Sequence, residues 1–95
     1  MDCLFCKIAA GQIPSKKVYE NEWVYAFEDI DPQAPFHVII IPKEHIKSAA
    51  EIDETNSGLI AYVFEVASKI AKDMNLDGFR IVNNCGDGAG QTVKH

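Results

Sequence analysis

The sequence lacks an excess of basic residues, and this absence limits its partners. Its 95 residues carry nine Lys and Arg against 14 Asp and Glu, a formal net charge of −5. Because a nucleic-acid backbone is bound through clustered Lys and Arg, we expect no nucleic-acid partner. A single nucleotide remains compatible with an acidic chain, since the amides of glycine turns and helix N-termini bind phosphate without basic side chains.

The sequence also lacks a long apolar run and an even number of cysteines. No segment has the length of apolar sequence that a bilayer requires, and an acidic residue follows Met1, so we expect neither a signal peptide nor a membrane partner. Three cysteines make a poor disulfide framework, which indicates a reducing, cytoplasmic location. A single domain of this size has a limited core, which a metal ion or a dimer partner would help to stabilise.

Hydrophobic patterning predicts an antiparallel α+β domain with one short and one long helix. Asp2 is a suitable N-cap for a short helix that ends at Gly11, and residues 55 to about 75 carry one apolar stripe. The predicted strands are residues 17–20, 23–27, 37–41 and 79–83, with a partner for the last beginning at 92–95. The third of these is β-branched at nearly every position, so we expect a central strand buried on both faces. Strands without βαβ alternation are typical of the α+β class.

Cys3 and Cys6 lie three residues apart, on one face of the predicted first helix. Three interpretations stay open. A redox pair of the thioredoxin type lacks the strand that should precede it. Two buried cysteines could act as small apolar residues. The pair could also be half of a tetrahedral zinc site. The candidates for the two further ligands are His45 and His95, with Cys85 and His37 as substitutes.

A glycine-rich stretch ends at Gly90 and matches neither the Rossmann nor the Walker spacing. It is either an ordinary hairpin loop or a turn whose amides hold a phosphate. Gln91 and Thr92 follow directly and add side-chain donors, which suits the second interpretation. Asp29 is either a turn residue or an acceptor for a ribose diol. His37 is most simply a core histidine.

Taken together, these segments resemble the histidine triad (HIT) family, and within it the Hint-like bacterial branch of nucleoside phosphoramidate hydrolases. The resemblance covers essentially the whole chain as one domain. The matching blocks, in order and at the expected separations, are residues 3–8, 11–14, 26–30, 32–37, 41–46 and 83–95.

The resemblance implies a role for each candidate residue. A purine base would contact apolar side chains at Leu4, Phe5, Ile8, Phe27 and Ile30. The ribose would bind Asp29, and His37 would support the triad through hydrogen bonding. The phosphate would be held by Asn84, Gly90, Gln91 and Thr92. In bacterial members that begin with Cys-x-x-Cys, a structural Zn²⁺ is held at the positions of Cys3, Cys6, His45 and His95, a donor set that also obeys the tetrahedral rule.

The resemblance further implies hydrolysis of nucleoside phosphoramidates or related purine nucleotide conjugates at the α-phosphate. A histidine nitrogen attacks phosphorus, and water then cleaves the nucleotidyl-histidine. The family motif is His-φ-His-φ-His-φ-φ, with φ apolar, and its second histidine is the nucleophile. His95 occupies the first, supporting position. The nucleophile and the end of the final strand are therefore expected beyond residue 95, and residues 1–95 alone are expected to be inactive.

Two alternatives remain open from the sequence. One is a catalytically inactive module that binds AMP or GMP and keeps the structural zinc. The other is a zinc- or thiol-responsive protein in which Cys3, Cys6 and Cys85 act. The resemblance also implies a homodimer whose two sheets join edge to edge.

Overall fold

The computed structural model describes residues 3–95, so the N-cap predicted at Asp2 lies outside the described residues. Two helices lie against one antiparallel sheet of three strands in the order β1-β2-β3. The strands are β1 Lys17–Glu20, β2 Val24–Glu28 and β3 Val38–Pro42, and the helices are α1 Leu4–Ala9 and α2 Ser57–Asp73. Single 3₁₀ turns occur at Ala49–Glu51 and Asp87–Ala89. The predicted α+β class with one short and one long helix is confirmed.

The central strand β2 separates two apolar clusters because its side chains alternate between the faces of the sheet. Val24 and Ala26 are fully buried under the apolar stripe of α2. Tyr25 and Phe27 point to the opposite face, where they pack with Ile8 of α1. The candidate site described below lies on the α1 side. None of the helices in residues 3–95 has the length and apolar character needed to cross a membrane.

Both helices end at a residue in the left-handed conformation. Gly11 has a φ of 78° and Asn75 a φ of 54°. In each case the N–H of the following residue donates to a carbonyl five residues earlier. Gln12 bonds to Lys7 and Leu76 bonds to Ala71, both at 2.9 Å. This is the Schellman pattern, in which a left-handed residue lets the chain leave the helix with its last carbonyls satisfied.

The strands predicted at residues 79–83 and 92–95 do not form in the described part of the chain. A strand needs a hydrogen-bonded neighbour, and no described segment pairs with either one. Phe79, Ile81 and Val82 are consequently 54%, 48% and 66% exposed. The prediction that β3 is a central strand buried on both faces is also wrong for residues 3–95, since β3 forms one edge of the sheet and only Ile41 in it is buried.

Candidate functional site

Four side chains from three parts of the chain meet beside α1. The Sγ atoms of Cys3 and Cys6 and the Nδ1 atoms of His45 and His95 lie within 4.8 Å of one another. His95 Nδ1 is 3.3 Å from Cys3 Sγ and 3.5 Å from Cys6 Sγ, and His45 Nδ1 is 3.3 Å from Cys6 Sγ. The two Nδ1 atoms are 3.2 Å apart. Cys85, one of the substitutes considered from the sequence, is exposed and outside this group.

The local structure of α1 positions the two cysteines without any contribution from the histidines. Cys3 is the N-cap of α1, with a φ of −90° and a ψ of 120°, and its Sγ accepts the Cys6 N–H at 3.4 Å. The first helical turn therefore brings both sulfur atoms to one side. His45 follows β3 in a segment anchored by the buried side chain of Ile46. His95 comes from the opposite end of the chain, so tertiary structure completes the group.

A backbone carbonyl fixes the orientation of the His95 ring. His95 Nε2 lies 2.8 Å from the carbonyl oxygen of Pro42. Because a carbonyl only accepts, Nε2 carries the proton and Nδ1 presents its lone pair to the cluster. Burial lowers the pKa of His95 below its usual value, the bond to Pro42 opposes this, and the neighbouring His45 lowers the pKa further. The neutral ring is the form that binds a metal ion.

Four of the six donor-to-donor distances fit a tetrahedral metal ion. For Zn²⁺, bond lengths of about 2.3 Å to sulfur and about 2.05 Å to nitrogen give tetrahedral edges of roughly 3.5 Å between S and N and roughly 3.3 Å between two N atoms. The four donor distances given above agree with these edges to within 0.3 Å. Burial and the neighbouring Cys3 raise the pKa of the Cys6 thiol, so a cation would be needed to hold both sulfurs as thiolates. These residues could therefore hold a metal ion.

The apolar residues predicted to contact a base are divided between core and surface. Ile8 and Phe27 are buried in the cluster under α1. Phe5 is half-buried, and its ring centroid lies 5.7 Å from that of Phe27 and 6.0 Å from the His95 ring. Leu4 is 44% exposed and Ile30 is 100% exposed. Phe5 therefore connects the metal-ligand cluster to the sheet, while Leu4 and Ile30 offer apolar surface to a ligand.

Asp29 and His37 face each other across the loop between β2 and β3. Asp29 Oδ1 accepts the Asp31 N–H at 2.8 Å, and Asp29 Oδ2 is 3.4 Å from His37 Nε2. His37 Nδ1 accepts the Gln33 N–H at 3.0 Å, which leaves the ring proton on Nε2, toward the carboxylate. The structure thus places His37 beside the predicted ribose acceptor and outside the metal-ligand group.

Residues 86–91 form a compact turn closed by its own hydrogen bonds. The Gly86 carbonyl accepts the N–H groups of Ala89 and Gln91, both at 3.1 Å, and the Gly86 N–H donates to Gln91 Oε1 at 2.8 Å. Gly90 has a φ of 87°, a left-handed conformation that residues with a Cβ rarely adopt. The glycine at this position therefore has a structural reason that is independent of any ligand.

The predicted phosphate-binding residues differ in how their polar groups are used. Within residues 3–95, Thr92 and the Asn84 side chain make no hydrogen bond, so their donors are available to a ligand. The Gln91 side chain is occupied, because Nε2 donates to the carbonyls of Lys47 at 2.8 Å and Val93 at 3.0 Å. Gln91 consequently holds the turn in place and has little capacity left for a phosphate.

An open groove of about 420 Å³ lies at the end of α2, and a second of about 620 Å³ lies beside the metal-ligand cluster. The second groove is lined on one side by Cys3, Leu4 and His45, and on the other by a segment that includes Thr92. It therefore joins the metal-ligand cluster to two of the residues predicted to bind a nucleotide.

The contacts that hold these parts together were not predicted from the sequence. The carbonyls of Pro42 and Lys47 are backbone groups, so no side-chain pattern in the sequence predicts their contacts. Lys94 also bonds to Asp87 across the glycine turn and is the main reason that the pKa of Asp87 is lowered. That pair had a readable signal, namely opposite charges at the two ends of a tight turn.

The sequence profile of a family described as "Scavenger mRNA decapping enzyme C-term binding" matches residues 2–95. Protein HitA of Neisseria gonorrhoeae is 42% identical over 95 residues, which cover 99% of this chain and 89% of HitA. The chain belongs to the histidine triad (HIT) family. The resemblance to this family is therefore confirmed.

Solved structures of HIT proteins share the fold. A histidine triad protein from Clostridium difficile is 48% identical, with a TM-score of 0.96 over 100% of this chain and 84% of that one. A HIT family hydrolase from Legionella pneumophila is 45% identical, also with a TM-score of 0.96, over 99% of this chain and 86% of that one. This HIT protein is thus hydrolase-like in sequence and in fold.

Proposed function

We propose that this HIT protein belongs to the Hint-like branch and binds a purine mononucleotide, AMP or GMP. We further propose that, together with the second histidine of the triad motif, it hydrolyses nucleoside phosphoramidates or related purine nucleotide conjugates. The observation that carries the nucleotide proposal is a groove that reaches from exposed Leu4 to Thr92, a residue that directly follows the closed glycine turn and makes no hydrogen bond within residues 3–95. Proteins of this family generally bind nucleotides.

In the proposed complex, the free donors of Thr92 and Asn84 bind phosphate oxygens, and Gly90 and Gln91 shape the turn that carries them. The Asp29 carboxylate retains acceptor capacity for ribose hydroxyls beyond its bond to Asp31, because an ionised carboxylate has about four lone-pair sites. The base lies against Leu4, Phe5 and Ile30, with Ile8 and Phe27 forming the buried apolar layer behind them. His37 supports the site from its position beside Asp29.

The proposed hydrolysis needs a nucleophile in addition to the three histidines of residues 1–95. His95 is the first motif histidine and supports the site. The second, two residues further, would attack the α-phosphorus with a ring nitrogen and break the bond to the amine, which takes up a proton as it leaves. Water would then break the phosphorus–histidine bond, with the donors of Thr92 and Asn84 stabilising the negative charge on the phosphoryl oxygens.

The proposed metal ion is zinc, held by Cys3, Cys6, His45 and His95. Two sulfur and two nitrogen donors complete a tetrahedral shell, which is typical of zinc sites that stabilise a fold. Such an ion supplies binding free energy to the folded state and no step of the reaction.

Titration of AMP and GMP into residues 1–95 tests the nucleotide proposal. We expect Thr92→Val to weaken binding about tenfold or more, because a hydrogen bond to a charged group contributes about 1.5–3 kcal/mol. The matched control is Thr55→Val, since Thr55 precedes α2 and bonds to Asp53 away from the groove. An unchanged affinity in Thr92→Val, or no binding by the unmodified chain, would contradict the proposal.

Turnover of adenosine 5′-phosphoramidate tests the reaction. The protein to assay is one in which the sequence continues past His95 to the second motif histidine, and replacing that histidine by alanine should abolish turnover. Residues 1–95 should bind AMP without turnover. Binding without turnover in the longer protein would favour the alternative, an inactive mononucleotide-binding module.

We also propose a cytoplasmic homodimer. Reduced cysteines at a metal site suit a reducing compartment. The exposed side chains of Phe79, Ile81 and Val82, together with the outer edge of β3, offer a surface on which a second copy could add. Sedimentation equilibrium decides the state, because a chain mass of 10.5 kDa and twice that value are easily separated.

A further inference from the structure

One side chain ties the glycine turn to two other segments. Gln91 Oε1 accepts the Gly86 N–H at 2.8 Å, and Gln91 Nε2 donates to the carbonyls of Lys47 at 2.8 Å and Val93 at 3.0 Å. The amide orientation follows from its partners, because two carbonyls need donors and the Gly86 N–H needs an acceptor. Both protons of the Gln91 amide are therefore used by backbone groups.

These bonds flank the metal ligand that follows β3. His95 Nε2 donates to the carbonyl of Pro42 at 2.8 Å, and Gln91 Nε2 donates to the carbonyl of Lys47 at 2.8 Å. His45 lies between Pro42 and Lys47 in the sequence. The segment that carries one metal ligand is thus fixed at both ends by the segment that carries another.

We propose that Gln91 is a positioning residue that couples the phosphate-binding turn to the metal centre, so that each ligand raises the affinity for the other. The inference rests on the proposed function, because both ligands belong to it. The physical reason is shared ordering. Zinc bound at His45 and His95 fixes residues 42–47 and 91–95, and Gln91 transfers this order to the turn at 86–91. The conformational free-energy cost of ordering the turn is then no longer part of the cost of binding a nucleotide phosphate.

The unmodified protein gives the first test. Zinc affinity is measured by competition with a chelating dye, with and without saturating AMP, and AMP affinity is measured with and without zinc. We expect both pairs to change by the same factor, about fivefold or more, since coupling between two sites is reciprocal. If zinc leaves the AMP affinity unchanged, or AMP leaves the zinc affinity unchanged, the inference is overturned without any variant.

Gln91→Glu gives the second test. It keeps the acceptor for the Gly86 N–H but turns a carboxylate oxygen toward the carbonyls of Lys47 and Val93. We expect zinc affinity to fall about 10- to 100-fold, as is typical for contacts that orient metal ligands, and the coupling factor to fall to about one. The ligand-field bands of bound Co²⁺ should shift as well, because the placement of His45 changes.

Two control variants separate coupling from loss of stability. Gln12→Glu makes the same charge change at an exposed side chain that forms no hydrogen bond within residues 3–95. Asn75→Ala weakens the end of α2, away from both sites. Both should keep the coupling factor and the Co²⁺ spectrum of the unmodified protein, even if Asn75→Ala unfolds at a lower temperature.

The outcomes distinguish this inference from the function on which it rests. If the unmodified protein binds no zinc or no AMP, the proposed function fails and the inference falls with it. If it binds both, and Gln91→Glu retains the coupling, the inference alone is overturned. Should Gln91→Glu not fold, the coupling factor of the unmodified protein and the hydrogen exchange of the Gly86 amide in Gln91→Ala remain decisive. We expect that amide to exchange faster in the variant.

Discussion

His95 contacts three different parts of the molecule. Its Nδ1 belongs to the metal-ligand group, its Nε2 bonds to the carbonyl of Pro42, and its ring lies 6.0 Å from that of Phe5. Each of these contacts fixes a different degree of freedom of the ring. These contacts hold the ring in one orientation, and the supporting role that the first motif position implies for His95 stays a prediction.

A pair of cysteine variants tests the metal site at the level of single residues. Replacing Cys6 by serine removes one of the four donors, and one of the two sulfur donors. We expect metal affinity to fall about 100-fold, because zinc-peptide binding free energies of about 10–16 kcal/mol are shared among the ligands. Cys85→Ser is the matched control, since Cys85 is exposed and outside the cluster. Titration with Co²⁺ measures both. Equal affinities in the two variants would remove Cys6 from the site.

Among the structural elements, α2 shows how a residue other than glycine can adopt the left-handed conformation that ends a helix. Asn75 adopts a φ of 54°, where asparagine is tolerated better than other residues with a Cβ. Its own N–H bonds to the Lys72 carbonyl at 3.1 Å, and the next amide reaches Ala71. The exit from α2 therefore depends on the backbone conformation at this position.

Substitution at Asn75 should reveal that dependence. We expect Asn75→Ala to lower the free energy of unfolding by about 1 kcal/mol, and Asn75→Gly to leave it unchanged or raise it slightly, because only glycine has no Cβ penalty there. Urea unfolding of both variants measures the difference. If alanine and glycine gave the same stability, the left-handed conformation would not be the cause.

The start of α2 should give a pH-dependent stability. Asp53 Oδ1 accepts the Thr55 hydroxyl at 2.6 Å and the Thr55 N–H at 2.8 Å, and these bonds lower the pKa of Asp53. A carboxyl whose pKa is lower in the folded state stabilises the fold at pH values above its unfolded pKa. That contribution is lost as the pH falls through the folded pKa.

We therefore expect Asp53→Asn to be less stable than the unmodified protein at pH 7, with the difference narrowing once the pH falls below about 4. Urea unfolding of the metal-free proteins between pH 7 and pH 3 measures this, since loss of metal at low pH would otherwise dominate. A difference that stays constant across this range would show that the charge on Asp53 has no part in it.

Local patterns predicted the elements well where each element is stabilised by its own sequence. The amphipathic stripe of α2 and the strand–turn–strand at residues 17–27 needed no distant information. The strand predicted at 79–83 failed because a strand exists only when another segment pairs with it. The spacing of Cys3 and Cys6 predicted half of the metal-ligand group, but the choice of His45 and His95 came from the family resemblance. The contacts of Gln91 had no pattern at all, since their acceptors are backbone carbonyls.

On the scale of the whole molecule, the sheet separates the side covered by α2 from the side that carries α1 and the candidate metal-ligand group. The α2 face holds Val24 and Ala26 with no exposure to solvent. The α1 face carries the metal-ligand group and Phe5, packed on Tyr25 and Phe27. Since α1 has six residues and α2 has 17, the α1 side has a shorter apolar helix face to pack on the sheet.

Chelation should therefore destabilise the protein strongly. Zinc at 100 times its dissociation constant stabilises the folded state by about 2.7 kcal/mol. At about 4–8 °C per kcal/mol for a domain of this size, removing zinc with EDTA should lower the melting temperature by roughly 10–20 °C. Differential scanning calorimetry measures this, and the Cys6→Ser variant should show little of the shift. No change on chelation would mean that the fold does not depend on a metal ion.

Cys3 and His95, whose donor atoms lie 3.3 Å apart, are separated by 92 positions in the sequence. With zinc between them, the polypeptide becomes a ring closed by coordination bonds. A stretching force applied at residues 3 and 95 would accordingly act on the metal–ligand bonds first. The hydrogen bonds between the strands would bear the force only after one of those bonds had broken.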